Sequence, residues 1–411
     1  MKHVWILNHY ALAPNESGGT RHFHIAEHIL THGWKATIIA ASVNHSNGKQ
    51  RLSQNERTRY DYLSGVPFLW VHTPEYTNNV HRRILNMLAY TWRVLKKKTT
   101  DKLQRPDVVF GSSVHPLAAV AALLLSRRFN VPFIFEVRDL WPQTLVDFGF
   151  LKDHSVITWA LRKIELWLYC NASRIVVLMP LAWEYIVPLG ISKDRIVWIP
   201  NGVDLSLFSS PSLFARKSDD IFTLMYFGSH AQADGIENIL QAMKIIKEGN
   251  NPIPVQLRLI GHGPMKPALE NLTQRLGLSN VSFEPPLPKN QIPALAAEAD
   301  AFILILLNYP KLYRYGISMN KLFDYLASAR PIIIASNVPN NPVVEANAGL
   351  SLSTANPDCI ADAILQLAQM STHERELMGR NGRSYVEQNH SFELLAAKFA
   401  EMLDDVWERN S

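Results

Sequence analysis

Apolar residues fall along this chain in short unbroken runs, and between the runs they recur every three or four positions. Residues 4–7, 35–41, 107–111, 133–137, 174–178 and 195–199 are runs of the first kind. Their length and their β-branched and aromatic content predict strands buried on both faces. Residues 20–30 carry helical spacing and end at Gly33, a left-handed stop, and 155–172 predict a long helix. The second half repeats the alternation, with strands at 223–227, 255–260, 281–284, 301–307 and a final one at 332–335. Helices over 236–248, 266–276, 291–297 and 320–328 separate them. Strands alternating with helices in both halves predict an α/β protein of two doubly wound parallel sheets. The polar segment 209–220 reads as a linker, and 42–77 as irregular excursions from the first sheet. The expected domains are 1–205 and 221–388, joined by 206–220. A terminal helix at 389–411, with Phe392, Leu395, Phe399, Met402, Leu403 and Val406 on one face, packs back toward the first.

Length supports that division, because 411 residues exceed one ordinary core. A composition of 47% hydrophobic and 19% charged residues is that of a globular chain. The net charge of +5 favours anionic partners: a nucleotide, a lipid phosphate or an anionic membrane surface. No cysteine–histidine spacing suits a metal, and no tract interleaves basic with aromatic residues, so nucleic acid is not an expected partner. Two distant cysteines, Cys170 and Cys359, point to a reducing compartment. No signal peptide and no apolar stretch of about 20 residues is evident, so a cytoplasmic protein, peripheral to the inner leaflet, is expected.

Candidate chemistry sits where strands end. The richest stretch runs from Tyr313 to Pro331, where an apolar strand feeds a loop holding Gly316, Ile317 and Ser318 and then a helix. First-turn amides lack intrahelical partners and carry the positive end of the helix dipole, which suits a diphosphate. Lys321 adds a full charge, and Asp324 is within reach of neighbouring hydroxyls such as those of a ribose. An ordinary capped surface helix is the competing reading. Gly18 and Gly19, before Thr20 and Arg21, form a second side-chain-free helix entry, though not the G-x-G-x-x-G pattern; a plain glycine turn fits equally. His115 follows a strand tip, as a ligand or as a structural or capping residue, and Arg138 and Asp139 follow the next. In 80–98 the stripe Ile84, Leu88, Trp92 and Leu95 predicts a face packed on the domain. Arg82, Arg83, Arg93, Lys96, Lys97 and Lys98 would then be presented to an anionic bilayer or simply to water.

Phe227-Gly228-Ser229, Gly261-His262-Gly263-Pro264, the run from Ser318 to Tyr325, and Arg330-Pro331 together resemble the family-four retaining glycosyltransferases. The motifs occur in the family's order and cover nearly the whole chain. The segments 136–142 and 199–204 resemble more narrowly the WbuB-type transferases of bacterial surface polysaccharides. The resemblance implies the GT-B fold, two Rossmann-like domains facing a cleft. It also implies transfer of a sugar, in that subgroup an N-acetylated deoxy amino sugar, from a nucleoside-diphosphate donor such as a UDP-sugar to a lipid-linked saccharide. Anomeric configuration would be retained, and neither cofactor nor metal is implied. It places the diphosphate at Gly18, Gly19, Gly316, Ile317, Ser318 and Lys321, the ribose at Asp324, and the base at Gly261, His262, Gly263, Pro286 and Leu287. Gly228 and Ser229 form the strand-end loop, His115 lies beside the reacting sugar, and Arg21, Arg138 and Asp139 face the acceptor. Two positions depart from the family pattern. Its signature has glutamates eight residues apart, where this chain has Gly316 and Asp324, and Gln232 stands where a phosphate-binding lysine is common. Lys321 or Arg21 would supply the missing charge. A sugar-nucleotide epimerase of the same architecture, or a non-catalytic homologue, remains compatible with these residues.

Overall fold

The computed structural model describes residues 1–14, 16, 18–45, 48–76, 79–113, 115–208, 221–249, 251–307 and 310–410, so the linker expected over 209–220 lies outside the described residues. The chain forms two compact units, Met1–Pro200 with Phe392–Ser411, and Asn201–Ser391. Leu205–Phe208, expected at the linker's edge, is a short 3-10 turn of the second unit, with Phe208 buried in that unit's core.

The first unit is built from β1 (Lys2–Leu7), α1 (Arg21–His28), β2 (Trp34–Ala41), β3 (Thr58–Leu63), β4 (Val66–Val71), α2 (Val80–Val94), β5 (Val108–Ser112), α3 (Pro116–Phe129), β6 (Phe133–Val137), α4 (Val156–Asn171), β7 (Arg174–Val177) and β8 (Ile196–Trp198). Its sheet runs β3-β4-β2-β1-β5-β6-β7-β8. The strands are parallel except β3, which pairs antiparallel with β4. That hairpin corrects the reading of 42–77 as irregular. Leu63 pairs with Val66 across a two-residue turn in which Ser64 (φ 48°) and Gly65 (φ 86°) both take positive φ. A Ser-Gly pair between strand-like runs is the signal that was available for it. The sheet order reverses direction between β1 and β5, so ligand chemistry is expected at their carboxyl ends.

The second unit holds β9 (Phe222–Ser229), α5 (Ile236–Glu248), β10 (Val255–His262), α6 (Lys266–Arg275), β11 (Val281–Glu284), β12 (Ala301–Ile305), α7 (Asn320–Ala327), β13 (Ile332–Ala335), β14 (Gly349–Leu352), α8 (Pro357–Gln369) and α9 (Thr372–Asn389). Its six strands, all parallel, run β11-β10-β9-β12-β13-β14, and the reversal falls between β9 and β12. The strand at 332–335 is therefore not the last, since β14 follows and forms the edge. Its sequence, GLSL, is too short and too mixed to stand out among apolar runs.

The last helix, α10 (Phe392–Glu408), belongs to the first unit. Phe392, Leu395, Phe399, Leu403 and Val406 join one core with Phe23, Ile25, Trp34 and Phe110. Burying a large apolar side chain contributes on the order of 2 kcal/mol, so this face is ample reason for the return. Arg174 pairs with Asp405 at 2.5 Å and Lys2 with Asp404 at 2.6 Å along its flank.

Candidate functional site

In the second unit the expected residues converge on the carboxyl ends of β9, β10 and β12. Gly228 and Gly261 are register partners, and a Cβ on Gly261 would collide with the Gly228 carbonyl oxygen, so the strand ends can approach only without side chains. Lys321 reaches back over Gly228. Its Nζ lies 3.1 Å from where a Gly228 Cβ would stand, donates to the Tyr226 hydroxyl at 2.6 Å, and pairs with Asp234 at 2.5 Å. Burial pulls the Lys321 pKa below its ordinary value, and Asp234 opposes that shift. Asp324 is buried, and both its oxygens accept from Lys289, at 2.6 and 2.5 Å. Lys289 lies in the connection after β11 that also holds Pro286 and Leu287, so the ion pair fastens that connection to α7. The Tyr325 hydroxyl donates to the Phe227 carbonyl at 2.9 Å and accepts from its amide at 3.0 Å, fixing α7 against the end of β9.

The loop before α7 differs from expectation in one respect. The Gly316 amide donates to the Tyr313 carbonyl at 3.0 Å and the Ile317 amide to Asn340 Oδ1 at 2.7 Å, so neither is free for an anion. Ser318 is gripped from Asn201, whose amide donates to its Oγ at 2.7 Å and whose Nδ2 donates to its carbonyl at 2.6 Å. What remains is the first turn of α7, whose amides have no i−4 partner and whose N-cap, Met319, offers no side-chain cap. Gly316 has φ 96°, a backbone that disfavours any side chain, so the missing carboxylate is built into the loop. Gln232 starts a short 3-10 turn, Gln232–Asp234, and that turn delivers the carboxylate that holds Lys321, not a second cation. Ser229, His262 and Pro286 are exposed, while Gly263 and Leu287 are half-buried. His230, which sequence reasoning passed over, is fully buried with no hydrogen-bond partner for either ring nitrogen among the described residues. Burial and then Lys266 push it down to about 4.

In the first unit, Arg21 corrects the sequence reading. It is 1% exposed, and its guanidinium donates to Glu136 at 2.9 Å, to the Ile199 carbonyl at 2.8 Å and to the Pro200 carbonyl. Three of its five N–H donors are spent inside the protein, and burial keeps the guanidinium from an acceptor or a phosphate at the surface. Glu136 also accepts from His22 at 2.8 Å and from Ser112 Oγ at 2.7 Å. Burial alone would raise Glu136, but His22 and Arg21 hold it far below the usual carboxylate range. Gly18, with φ 130°, and Gly19 enter α1, whose Thr20 makes no side-chain cap. Arg138 is half-buried, its amide donating to Ser113 Oγ at 3.3 Å, and Asp139 is exposed.

His115 precedes α3 without capping it. Its Nε2 meets His9 Nδ1, and His9 Nε2 lies 2.6 Å from Asn86 Oδ1 on α2. Burial, and then the charge of Arg83, push His115 down to about 3; burial, and then His115, hold His9 well below 6.5. Neither His9 nor Asn86 carried any motif in the sequence. Only the placement of a helix residue beside two strand ends makes them a set.

Helix α2 also reverses an expectation. Asn86, Tyr90 and Val94 form its buried face, and Ile84, Leu88 and Trp92 point outward at 46%, 49% and 62% exposure. Both triplets have the same i, i+4, i+8 spacing and stand two positions, about 200°, apart around the helix. Arg93 is not a free surface charge, since its Nη1 donates to the His72 carbonyl and lies 2.6 Å from the ring nitrogen. Arg83 donates to the Tyr10 hydroxyl at 3.2 Å. Arg82, Lys96 and Lys97 are exposed, and the Lys96 ammonium lies 3.4 Å over the Trp92 ring. A second exposed apolar group, Phe148, Phe150, Val156, Ile157 and Trp159, leads into α4, and α3 packs against both α2 and α4. Among the described residues, no helix is long and apolar enough to cross a membrane, and no group of three or more His, Cys, Asp or Glu could hold a metal ion.

Residues 18–202 match the glycosyl transferase 4-like domain, and 221–370 match the glycosyl transferases group 1 domain. The probable glycosyltransferase WbjE of Pseudomonas aeruginosa is 24% identical over 342 residues, 79% of this chain and 81% of that protein. The putative colanic acid biosynthesis glycosyl transferase WcaI of Escherichia coli is 18% identical over 261 residues, 60% of this chain and 63% of that one. Among solved structures, sucrose-phosphate synthase from Thermosynechococcus elongatus superposes with a TM-score of 0.74 at 16% identity, over the whole of both chains. Anabaena Alr3699/HepE in complex with UDP and glucose gives 0.68 at 14% identity, covering 98% of this chain and 99% of that one. At these identities the likeness is one of fold, GT-B, as the motifs imply.

Proposed function

This chain is a glycosyltransferase with a 4-like domain followed by a group 1 domain, and from that premise we propose that it transfers a sugar from a UDP-sugar to a lipid-linked saccharide in bacterial surface-polysaccharide assembly, with retention and without a metal. The observation that carries the reading is the convergence of Gly228, Gly261, Lys321 and the Lys289–Asp324 pair at the strand ends where the second sheet reverses. Donor chemistry there is supported by HepE, a neighbour in fold whose structure holds UDP and glucose. Lys321 and the first turn of α7 bind the diphosphate, Lys321 exchanging Asp234 for phosphate. Asp324 accepts from ribose hydroxyls, and the backbone at Gly261, Gly263 and Leu287 borders the base. The bond from the anomeric carbon to the β-phosphate oxygen breaks as the acceptor oxygen attacks the same face, and the acceptor's proton passes to the departing phosphate. Charge stabilisation on that leaving group is what the protein supplies. The exposed apolar and basic residues of α2 and the approach to α4 support an acceptor held at an anionic membrane, and an acetamido deoxy sugar as the group transferred rests on the resemblance of 136–142 and 199–204 to the WbuB-type transferases.

The test is a screen of UDP-sugars with membrane extract as acceptor, with and without chelator, followed by the anomeric configuration of the isolated product. Retained product, formed only with acceptor and unaffected by chelator, is expected. Sugar-nucleotide turnover without acceptor would make the protein an epimerase, and nucleotide binding without turnover a non-catalytic homologue. Arg82, Lys96 and Lys97 changed to Gln, with Trp92→Ser, should abolish use of vesicle-borne acceptor and leave UDP affinity unchanged.

A further inference from the structure

A groove of about 550 Å3 opens beside β13 and β14, lined by residues between Ser336 and Ser353. Its volume is within the ~300–1,000 Å3 usual for small-molecule sites. The whole lining belongs to the second unit, and none of it takes part in donor binding as described above. Its walls are held in place by side chains that remain partly unspent. Asn341 Oδ1 accepts from the Val343 amide at 3.2 Å and caps the short helix Pro342–Glu345, while Nδ2 donates to Ser351 Oγ at 3.0 Å and ties that helix to β14. The Tyr385 hydroxyl, from α9, donates to Glu345 Oε2 at 2.7 Å and leaves Oε1 without a partner among the described residues. Asn340 is absent from the lining. Its Oδ1 accepts from the Ile317 amide at 2.7 Å and its Nδ2 donates to the Ile317 carbonyl at 3.0 Å. The loop after β13 is thus anchored to the loop before α7 by one residue and offers its neighbours to the groove. A guest there binds without first paying to order the walls.

The lining chemistry selects that guest. Asn337 and Ser353 are exposed in it, their side chains bonded to nothing among the described residues, and Ser336 keeps a buried hydroxyl without a partner. Val338, Pro339 and Val344, the last 54% exposed, add apolar surface. No lysine, arginine or histidine lines the groove, although the chain carries a net charge of +5, and its one charge is the Glu345 carboxylate. A phosphate or nucleotide would meet like charge with no cation to offset it. A wholly apolar guest would strip water from amides and hydroxyls and return nothing, and a metal ion would find a single carboxylate. A neutral sugar ring fits both parts, since its rim hydroxyls donate and accept and its C–H face is apolar.

We propose that this groove is a second saccharide site, which takes a neutral sugar ring independently of the donor. The class of guest follows from the lining, and only its link to a glycan under extension rests on the transferase reading. Saturation-transfer NMR on the full chain tests it, with glucose, galactose, N-acetylglucosamine and maltotriose as probes and UDP present at saturation. At least one probe should give a signal, with a Kd in the millimolar range. Ser353→Trp, whose indole fills the groove, should abolish the signal and leave UDP affinity unchanged. Asn337→Ala should weaken binding about fivefold, the loss of one hydrogen bond. Glucose 1-phosphate should bind several-fold more weakly than glucose, and Glu345→Gln should narrow that gap. Tighter binding of maltotriose than of glucose assigns the groove to a saccharide chain, and equal affinity assigns it to a free ring. Silence from every probe, or a signal that survives Ser353→Trp, overturns the proposal. If Ser353→Trp no longer binds UDP, the other two variants decide, and unchanged affinities in both refute the site. Saccharide held by the groove of a chain that transfers nothing would retire the transferase reading and leave the site standing, whereas sugar transfer with every probe silent would do the reverse.

Discussion

The strand ends of the two units solve the problem of buried charge differently. In the first, Arg21 and Glu136 are wholly buried at 1% and 0% side-chain exposure, and between them they engage a histidine, a serine and two carbonyls. In the second, Lys321 and Asp234 are at 14% and 9%, with the Tyr226 hydroxyl as a further partner of Lys321, and Lys289 and Asp324 are at 11% and 7%, each an ion pair nearer the surface. A closed network of the first kind fixes a shape, because no member can leave without stranding a charge. A pair of the second kind can change partners, since an anion at the surface of the site can replace the carboxylate that holds the lysine. The difference separates a scaffold from a binding surface, although both began as polar residues at strand tips.

The largest expected effect tests the scaffold. Glu136→Leu leaves Arg21 buried and uncompensated and should cost about 3–5 kcal/mol in denaturant unfolding; a cost under about 1 kcal/mol would mean that the network is replaceable. The next tests the exchange of partners. Lys321→Ala should weaken UDP binding by about 2 kcal/mol in calorimetry, whereas Asp234→Asn, which removes the competing carboxylate, should tighten it. Equal weakening in both would make this pair another scaffold. The smallest effect spans both units. Burial holds His9 and His115 in the first, and His230 and His390 in the second, below their ordinary 6.5, with His115 at about 3 and His230 and His390 at about 4. As pH falls through 6.5 the unfolded chain binds protons that the folded chain refuses, so stability should drop from pH 6.5 toward 4. The slope is about 1.4 kcal/mol per pH unit for each histidine kept neutral. Glu165, pushed up to about 8 by burial, works against this, because its folded form holds a proton that the unfolded chain gives up above its ordinary 4.5. Urea midpoints measured from pH 7 to 4.5 should still fall, and a flat profile would contradict the buried neutral histidines of both units.

Much of this was legible without coordinates where one residue type or one local period decides the outcome. The helix at 320–327 follows from the spacing of Leu322, Phe323 and Leu326, and Lys321 and Asp324 follow from their places in it. Their partners do not. Asp234 is 87 positions from Lys321, Lys289 is 35 from Asp324, and His9 is 106 from His115. Arg21 misled for a related reason: a charged residue at a helix entry looks available until the carboxylate beneath it is known. Helix α2 misled because amphipathicity was read from hydrophobicity alone. Asn86 and Tyr90 go inward, as their hydrogen bonds to His9, Pro74 and Ile39 are satisfied there, while Ile84, Leu88 and Trp92 stay out.

By itself, then, the sequence determined where most strands and helices alternate, that two largely parallel sheets result, and which glycines and charges stand at their tips. These depend on backbone preference and on periodic burial, which act within a few residues. Only the tertiary structure decided which charges are spent on each other and which face of α2 is left to solvent. Each of those is a question of which distant group arrives to satisfy a buried donor or acceptor, and no local pattern carries the answer.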